Sequence, residues 1–509
     1  MKNKLLTLIF FSLLLLSSCT KEYYTEIVEP PEETPDQVFI KNFSFKSENN
    51  SIVLIDDIDC TVNENTIFAR IPHVAKSKIL VPSFEVGEGV KLLNASTGEE
   101  IVSDVTLIDF SKPLTVKAIV EEQEKIYEIG VSAYTGLPMV FINTGRGGPI
   151  NQKHTYIEAT FHMYDNYSIT KSSNLIEEKI GIRGRGNSTW GMPKKPYKIK
   201  FDKKISLFGL PKNKHWVLLA DYSDKTQLRN KTAFYMSSIS DLAWGPSGKH
   251  VEVFINEDYA GTYLLCEQVR EDEGRVEVGE NGYLLEIDDK AGLDPEDVFF
   301  TSSKKKIVIK APELKTGDEK YKWIVNYYTE FEDALFNPNT KRKIYDYVDL
   351  TSFVDWYIIN EIVKNNDAID YSSCYLNLVP GGLIKRGPVW DFDLAYGNVE
   401  YNKNEDPTGF WVSKSDIYAR LFKDPIFVEA VKERFTYYNS RRSDIFSFIN
   451  SNASDLKWAM IENNARWNHL YQYQWPNNAV WGAYNSEVTY LKEWLDTRFN
   501  WLEKAFNEV

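Results

Sequence analysis

The chain has 509 residues, and its 59 Lys and Arg residues are outnumbered by 73 Asp and Glu residues, so the formal net charge is −14. A chain of this length forms roughly two to four domains with a large hydrophobic core, and its acidic balance argues against general binding to nucleic acid. Of the four cysteines three remain if Cys19 is used in processing, and so sparse and odd a number is not a disulfide framework. No Cys-x-x-Cys pair and no paired Cys/His spacing occurs, which argues against a structural zinc site. Cys266 and Cys374 lie in apolar runs and are expected to be buried free thiols.

Residues 1–19 have the pattern of an export signal. Two lysines near the start precede an apolar segment, residues 5–16, that is too short to span a bilayer as a mature helix. The sequence Leu16-Ser17-Ser18-Cys19 resembles the lipobox of bacterial lipoproteins, in which the cysteine becomes the lipidated first residue of the mature protein. We therefore expect lipidation at Cys19; the alternative is an ordinary cleaved signal in which the cysteine is coincidental.

Two further segments precede the main domain. Residues 20–36 are rich in proline and acidic residues, a composition that forms no core, and are expected to be a disordered tether. Residues 37–136 contain short β-rich runs separated by turn residues, which predicts a small all-β sandwich. This segment resembles the Ig-like modules found near the N-termini of bacterial surface lipoproteins. Its expected role is that of a spacer, with ligand binding as the alternative.

The main domain, residues 137–509, begins with strand patterns and continues with helical patterns, so its expected fold class is α+β. The helical patterns dominate from about residue 316 onward. The clearest of them cover residues 318–335, 350–365 and 487–506. Three tryptophans lie just before the last helix, and we expect core packing for them rather than stacking on a sugar or a base. These are Trp467, Trp475 and Trp481.

A glycine-rich segment followed by a basic strand is the first candidate site. Residues 181–191 read Gly-Ile-Arg-Gly-Arg-Gly-Asn-Ser-Thr-Trp-Gly, and residues 194–201 read Lys-Lys-Pro-Tyr-Lys-Ile-Lys-Phe. Apolar residues alternate with Lys198 and Lys200, so both lysines share one face of the expected strand. Glycines let backbone N–H groups approach an anion, and the basic side chains add charge, which suits a phosphate cradle. The segment has no Walker motif, and a tight hairpin with solvated lysines is the alternative.

Glu267 ends an apolar run, residues 261–266, which is expected to form a hairpin with residues 251–256. A carboxylate in such a position needs a partner when it is buried. A lysine from the basic strand would serve as that partner. The alternative is a solvated glutamate at the end of a strand.

The second candidate site is the acidic segment Gly387-Pro388-Val389-Trp390-Asp391-Phe392-Asp393-Leu394-Ala395-Tyr396-Gly397-Asn398. On a short buried strand Asp391 and Asp393 would share a face, and two such carboxylates suit a magnesium or manganese ion that also contacts phosphate. Asp-x-Asp pairs are also common in loops that bind no metal. Asp367 follows the predicted helix 350–365, and a hairpin expected between Asp367 and Asp391 would bring the two together.

These motifs together resemble the CotH kinase family, whose namesake is a spore-coat protein kinase. The likeness covers roughly residues 137–505, with the motifs in the order of the family. The segments that carry it are residues 185–190, 194–201, 263–267, 366–367 and 390–397. The resemblance implies an atypical, highly diverged protein-kinase fold. It also implies an activity that uses ATP and a divalent metal to phosphorylate serine in proteins.

The resemblance also implies a role for each matching residue, in agreement with what phosphoryl transfer requires. The phosphate loop would be lined by Arg183, Arg185, Asn187 and Ser188. The phosphates would be contacted by Lys198 or Lys200, held by Glu267. Asp367 would be the catalytic-loop aspartate, and Asp391 the principal metal ligand with Asp393 assisting. Which aspartate is the base and which is the ligand stays open.

The sequence departs from ordinary kinases in the catalytic loop. No His-Arg-Asp triplet precedes Asp367, and the usual asparagine has no clear match; Ser372 and Ser373 lie nearest, with Asn377 further on. These departures leave the second metal and the activity open. An exported kinase also has to find nucleotide outside the cytoplasm, use another donor, or have no kinase activity.

The sequence therefore predicts an envelope-anchored atypical kinase that transfers the γ-phosphate of ATP to Ser or Thr of a protein substrate, with Mg²⁺ or Mn²⁺. The expected location is the outer membrane or the cell surface, through the lipid anchor, and no nucleic-acid partner is expected. One alternative is a catalytically silent kinase-like surface module that binds glycan or protein. Another is a metal-dependent glycosyltransferase, because Asp-x-Asp also holds the phosphates of nucleotide sugars.

Overall fold

The computed structural model describes residues 37–508, except 55–56, 72–77, 134, 165–174, 257 and 293. The predicted signal over residues 1–19, the predicted lipidation site Cys19 and the predicted tether over residues 20–36 lie outside the described residues. Lipid attachment at Cys19 therefore stays a prediction. No helix in the described part of the chain has an apolar stretch long enough to cross a bilayer.

The N-terminal region is built from short strands around one hydrophobic core. Its strands are β1 (Ile40–Phe45), β2 (Ile58–Asp59), β3 (Thr61–Val62), β4 (Thr66–Ile71), β5 (Ile79–Leu80), β6 (Ser83–Val86), β7 (Lys91–Asn94), β8 (Glu100–Ile101), β9 (Ile108–Asp109), β10 (Leu114–Val120) and β11 (Gln123–Ala133). They form a three-stranded sheet (β2-β1-β6), a six-stranded sheet (β3-β4-β11-β10-β7-β8) and the pair β5-β9. Phe45, Ile71 and Val116 are fully buried in the core they enclose. The β-rich N-terminal region is thus present, while its Ig-like identity stays a prediction.

A closed seven-stranded barrel follows. Its strands are β12 (Met139–Thr144), β13 (Ile157–Tyr164), β14 (Leu175–Gly184), β15 (Tyr197–Ile205), β16 (Asn213–Leu219), β17 (Gly248–Ile255) and β18 (Asp258–Glu267). They are ordered β12-β13-β14-β15-β16-β18-β17, and a parallel pairing of β12 with β17 closes the barrel. Tyr197, Ile199 and Phe201 of β15 belong to its core, so the lysines that alternate with them, Lys198 and Lys200, point outward, as the alternation predicts. Helix α1 (Arg229–Ser238) lies between β16 and β17 in the chain.

The remainder combines a five-stranded sheet with helices around the largest core. The strands are β19 (Tyr283–Ile287), β20 (Phe299–Thr301), β21 (Lys306–Ala311), β22 (Cys374–Leu378) and β23 (Lys385–Arg386), in the order β20-β21-β19-β22-β23. The helices are α2 (Glu319–Phe336), α3 (Leu350–Ile362), α4 (Asp416–Leu421), α5 (Pro425–Ser440), α6 (Arg442–Trp467) and α7 (Tyr484–Glu508). Helix α3 begins where the Asp349 carboxylate accepts a hydrogen bond of 2.8 Å from the Ser352 N–H. The α+β class is confirmed.

A buried ion pair joins the helices behind the candidate site. Glu361 of α3 and Arg498 of α7 are both fully buried, and their charged groups lie 2.6 Å apart. Glu361 also accepts hydrogen bonds from the N–H groups of Trp411 and Val412, each at 2.8 Å. Because both carboxylate oxygens have partners, the free-energy cost of burying this charge away from water is offset. The pair therefore fixes α3 against α7, and α3 leads into the loop that carries Asp367.

Two predictions about side-chain burial have different outcomes. The thiols of Cys266 and Cys374 are buried and free, as expected. Core packing is wrong for two of the three tryptophans, because Trp475 is 60% exposed and Trp481 is 47% exposed. Both lie in the loop between α6 and α7, where hydrogen bonds of the backbone and of neighbouring polar side chains shape the chain.

Candidate functional site

A cavity of about 490 Å³ lies between the barrel, the five-stranded sheet and the loops before the C-terminal helices. It is lined by the β14–β15 loop, by the end of β16 and by residues from three later loops. Eight of the predicted site residues line it: Arg183, Arg185, Asn187, Ser188, Lys198, Asp367, Asp391 and Asp393. Two do not, Lys200 and Glu267. The cavity therefore unites the basic and acidic motifs, which lie far apart in sequence.

The glycine-rich loop forms one wall of the cavity. Gly186 has φ +84°, a left-handed conformation that glycine adopts without steric cost. A Cβ at Gly184 would stand 2.2 Å from the ring of Trp190, so only glycine permits this packing. Beyond these glycines, the exposed Asn187 and Ser188 open a short 3₁₀ turn. The loop thus presents small polar groups to the cavity, as expected for a surface that contacts an anion.

The two arginines of this segment, Arg183 at the end of β14 and Arg185 in the loop, have different partners. The Arg183 guanidinium donates hydrogen bonds to the carbonyl oxygens of Lys153 and His154, and it lies 3.8 Å from the Glu296 carboxylate. Arg185 places its guanidinium over the ring of Trp390, 5.6 Å from the ring centroid. Trp390 directly precedes Asp391, so this contact brings the cationic loop up to the acidic segment.

Lys198 is the cavity-facing lysine of the basic strand. Burial, then the positive charges of Arg185 and Arg183, lower the pKa of Lys198 to about 7, while Glu286 opposes this shift. Glu286 lies on β19 and its carboxylate is 3.4 Å from the ammonium of Lys310. No sequence signal selected Glu286, because it sits in an apolar strand from a distant part of the chain.

The predicted pairing of Glu267 with a lysine of the basic strand is wrong. The Glu267 carboxylate forms a buried ion pair with Arg275 and accepts a hydrogen bond of 2.9 Å from the Ser247 N–H. Glu267 of β18 pairs with Trp216 on the neighbouring strand β16, and the Arg275 guanidinium lies 5.1 Å from the Trp216 ring centroid. Arg275, only eight positions along the chain, therefore satisfies this carboxylate away from the cavity.

Lys200 lies outside the cavity although it shares a strand face with Lys198. It is exposed and belongs to a second, more open groove next to Tyr156 and Lys214. The strand advances about 3.3 Å per residue, so two positions are enough to carry Lys200 past the edge of the cavity. Of the two lysines that the family resemblance left open, Lys198 is the one that faces the acidic motif.

The acidic segment is a turn and not the short strand that the sequence suggested. Strand β23 ends at Arg386, and Asp391 has φ +69°, a left-handed conformation that aspartate tolerates better than most residues. The Phe392 N–H donates to the Asn230 side-chain oxygen at 2.8 Å, and the Asn365 amide donates to the Asp391 carbonyl at 3.2 Å. Polar side chains thus supply the backbone hydrogen bonds that a neighbouring strand would otherwise supply. The turn still brings Asp391 and Asp393 to the same cavity.

Asp367 meets these two aspartates, as the predicted hairpin required. Strands β22 and β23 pair between Asp367 and Asp391. Burial raises the pKa of Asp367, and the negative charge of Asp391 raises it further. Burial also holds the pKa of Asp393 well above its usual range, with Asp391 adding to the effect, although Ser223 donates a hydrogen bond of 2.9 Å to the Asp393 carboxylate.

Asp221 is a further cavity carboxylate, beside the three predicted aspartates, that sequence reasoning missed. It follows β16 in a left-handed conformation (φ +44°) and is 6% exposed. One of its oxygens accepts from the Asn230 amide at 2.8 Å, and the other has no hydrogen-bond partner among the described residues. Burial and the charge of Asp224 raise its pKa. The only sequence signal was its position directly after the apolar run 215–220, which does not distinguish it from other aspartates.

The acidic side of the cavity fits a divalent metal that is shared with phosphate. Within the described ranges, no group of three or more His, Cys, Asp or Glu side chains is placed to hold a metal ion. Magnesium, however, commonly takes only one or two protein carboxylates and completes its shell with waters and phosphate oxygens. The unpartnered oxygen of Asp221, and the pKa values of Asp367 and Asp393, which burial and the negative charge of Asp391 both raise, indicate a concentration of carboxylates that a cation would compensate.

Comparisons with known proteins give one informative match. A sequence model of the family described as CotH kinase protein matches residues 182–502. No curated protein matches the chain.

Two solved structures show weak similarity. The first is a DUF4623 family protein from Bacteroides eggerthii, with 9% sequence identity and a TM-score of 0.15. The match covers 32% of this chain and 47% of that chain, so this chain spans about half the length of that protein. The second, from Bacteroides thetaiotaomicron, is provisionally described as a glycoside hydrolase, with 12% identity and a TM-score of 0.18 over 58% of this chain and 89% of that chain. These TM-scores are too low for either likeness to bear on fold or function.

Proposed function

Because the chain belongs to the CotH kinase protein family, we propose that it is an atypical protein kinase that transfers the γ-phosphate of ATP to Ser or Thr of a protein. The observation that carries this proposal is the meeting of opposite charges in one cavity. Arg185 and Lys198 line the same cavity as Asp367, Asp391 and Asp393. Phosphoryl transfer needs this combination, since positive groups bind phosphate oxygens while carboxylates hold a metal and orient the acceptor.

Each side chain has a role that follows from its place. Arg185 and Lys198 bind phosphate oxygens, and the glycine-rich loop offers its backbone to the same anion. Asp391 and Asp393, two half-buried carboxylates of the turn, would hold the divalent metal, which would neutralise charge on the phosphates. Asp367 orients the acceptor hydroxyl and takes its proton. The raised pKa of Asp367 brings this carboxylate closer to the pKa that suits a proton acceptor.

The proposal is tested by calorimetry of ATP binding to the purified protein, with Mg²⁺, with Mn²⁺ and with neither. We expect binding that requires one of the two metals. Absence of binding under all three conditions would favour the alternative of a catalytically silent surface module. A screen of glycans and peptides would then be the next measurement.

The low pKa of Lys198 predicts a pH dependence of phosphate binding. When no phosphate is bound, the pKa of Lys198 is about 7, so above pH 7 most of its side chain is neutral. A bound phosphate favours the ammonium form, so ATP binding at pH 8 takes up roughly one proton, and affinity falls as the pH rises through 7. Calorimetry in two buffers with different ionisation enthalpies measures this uptake.

Lys200 provides the matched control for this measurement, because it lies two positions along the same strand face but outside the cavity. The Lys198→Met variant should lose the proton uptake, and Lys200→Met should retain it. Equal uptake in both variants would show that another group titrates on binding.

A further inference from the structure

Two aromatic side chains form an open platform at the mouth of the cavity. The rings of Trp475 and Tyr401 are stacked, with centroids 6.1 Å apart and an interplanar angle of 25°. Both residues line the cavity, and Trp475 is 60% exposed. An exposed tryptophan that lines a cavity offers a large apolar contact surface to a ligand, and tryptophans are enriched among the residues that carry binding energy. We refer to Trp475 and Tyr401 as the aromatic platform.

The platform is held in place by buried hydrogen bonds. Asn477, two residues after Trp475, is fully buried; its amide nitrogen donates to the Ser223 carbonyl at 2.7 Å. Its amide oxygen accepts from the ammonium of Lys225 at 2.7 Å. The Pro476 carbonyl accepts from the Glu400 N–H, next to Tyr401, at 3.0 Å. These bonds pre-organise the two rings, so little conformational entropy is lost when a ligand binds.

A single side chain connects the platform to the proposed proton acceptor. The Asn366 amide donates to the Asp367 carboxylate at 2.8 Å and to the Tyr401 hydroxyl at 3.4 Å. A molecule that rests on the platform therefore passes directly beside Asp367. The phosphate-binding cations of the proposal, Arg185 and Lys198, also line the cavity but belong to other segments, the glycine-rich loop and the basic strand.

We propose that the aromatic platform binds the acceptor polypeptide through an apolar or aromatic side chain close to its Ser or Thr. This inference rests on the proposed kinase function. The platform is open on its outer side, which suits a chain crossing the mouth better than a base enclosed on both faces. An extended chain advances about 3.3–3.6 Å per residue, so the anchoring side chain lies within about four residues of the acceptor.

The test compares selection of peptides by the full-length protein and by its variants. The probe is a displayed library of random peptides with a fixed central serine, selected in the presence of ATP and Mg²⁺. We expect enrichment of peptides with an apolar or aromatic residue near the serine, and a loss of at least about tenfold in their affinity for Trp475→Ala, since truncated aromatic anchors carry much of an interface's energy. Trp475→Tyr should retain most of the affinity.

Trp481→Ala is the matched control, because Trp481 is 47% exposed in the same loop, packs against Tyr490 and does not line the cavity. It should select the same peptides as the unaltered protein. The inference is overturned if the unaltered protein and Trp475→Ala recover the same peptides, or if neither recovers any. It is also overturned if the unaltered protein binds an oligosaccharide array and Trp475→Ala does not, since the platform would then bind glycan.

ATP binding by the same variants separates this inference from the proposed function. Metal-dependent ATP affinity should be the same in Trp475→Ala and in the unaltered protein. A tenfold loss of ATP affinity in Trp475→Ala would assign the platform to the base of the nucleotide and overturn the acceptor assignment. Absence of ATP binding in the unaltered protein would overturn the kinase proposal, whatever the peptide selection shows.

Discussion

Replacement of Asp391 by asparagine is expected to abolish metal-dependent ATP binding while the protein still folds. Asparagine adopts the left-handed conformation that Asp391 has at φ +69°, and its side-chain oxygen can still accept the 3.2 Å hydrogen bond from the Ser373 hydroxyl. The negative charge is what the substitution removes. Even outer-shell changes at metal sites cost about 10–100-fold in affinity, so loss of a ligand should cost at least about 100-fold.

Calorimetry with ATP and Mg²⁺ or Mn²⁺ measures this loss, and a thermal melt confirms folding. Asp202→Asn serves as the control, because Asp202 is exposed on β15 and does not line the cavity. The Asp391→Ala variant should lose the same binding, with a further cost to stability because alanine is strained at positive φ. Unchanged MgATP affinity in Asp391→Asn would contradict the assignment of Asp391 as a metal ligand.

The second large effect is expected at Asp367, on turnover rather than on binding. Asp367→Asn keeps the size of the side chain and a hydrogen-bonding group for Asn366, but it removes the proton acceptor. General-base groups contribute about 100-fold to 10,000-fold to rate, so ADP release from MgATP should fall within that range. The affinity for MgATP should remain within about threefold of the unaltered protein, because the metal and phosphate contacts lie on other residues.

The contrast between these variants separates the two aspartates, which the sequence left interchangeable. Loss of turnover with retained binding in Asp367→Asn, and loss of binding in Asp391→Asn, would support the assigned roles. The reverse pattern would exchange the roles of base and ligand. A rate of ADP release in Asp367→Asn that equals that of the unaltered protein would remove Asp367 from the chemistry.

Local patterns in the sequence were sufficient for the elements of this fold. The alternation of lysines with apolar residues placed Lys198 on the outer face of β15, because side chains of a strand alternate whatever the strand packs against. Apolar periodicity identified α2, α3 and α7 to within a few residues. The motif order from the glycine-rich loop to Asp391 identified the family, and the chain belongs to it.

Long-range contacts were beyond those patterns. Asp221 is positioned in the cavity by a hydrogen bond from the Asn230 amide, and the oxygen of the same amide accepts from the Phe392 N–H. The partner of Glu267 is Arg275, since the strand pairing and the turn after β18 decide which cation can reach it. Trp475 looked like a core residue because tryptophan usually is one. Its exposure follows from the hydrogen bonds that anchor Asn477, and these join residues far apart in sequence.

Residue type and spacing therefore determined which chemical groups the chain carries, the order of its strands and helices, and its family. Those properties depend on interactions between near neighbours, which a linear sequence contains. The tertiary structure alone decided which groups share the cavity, that Lys198 and not Lys200 faces the carboxylates, and that Asp391 sits in a left-handed turn. Such properties depend on packing and hydrogen bonds between distant segments, where a shift of two residues along one strand moves a charge out of the site.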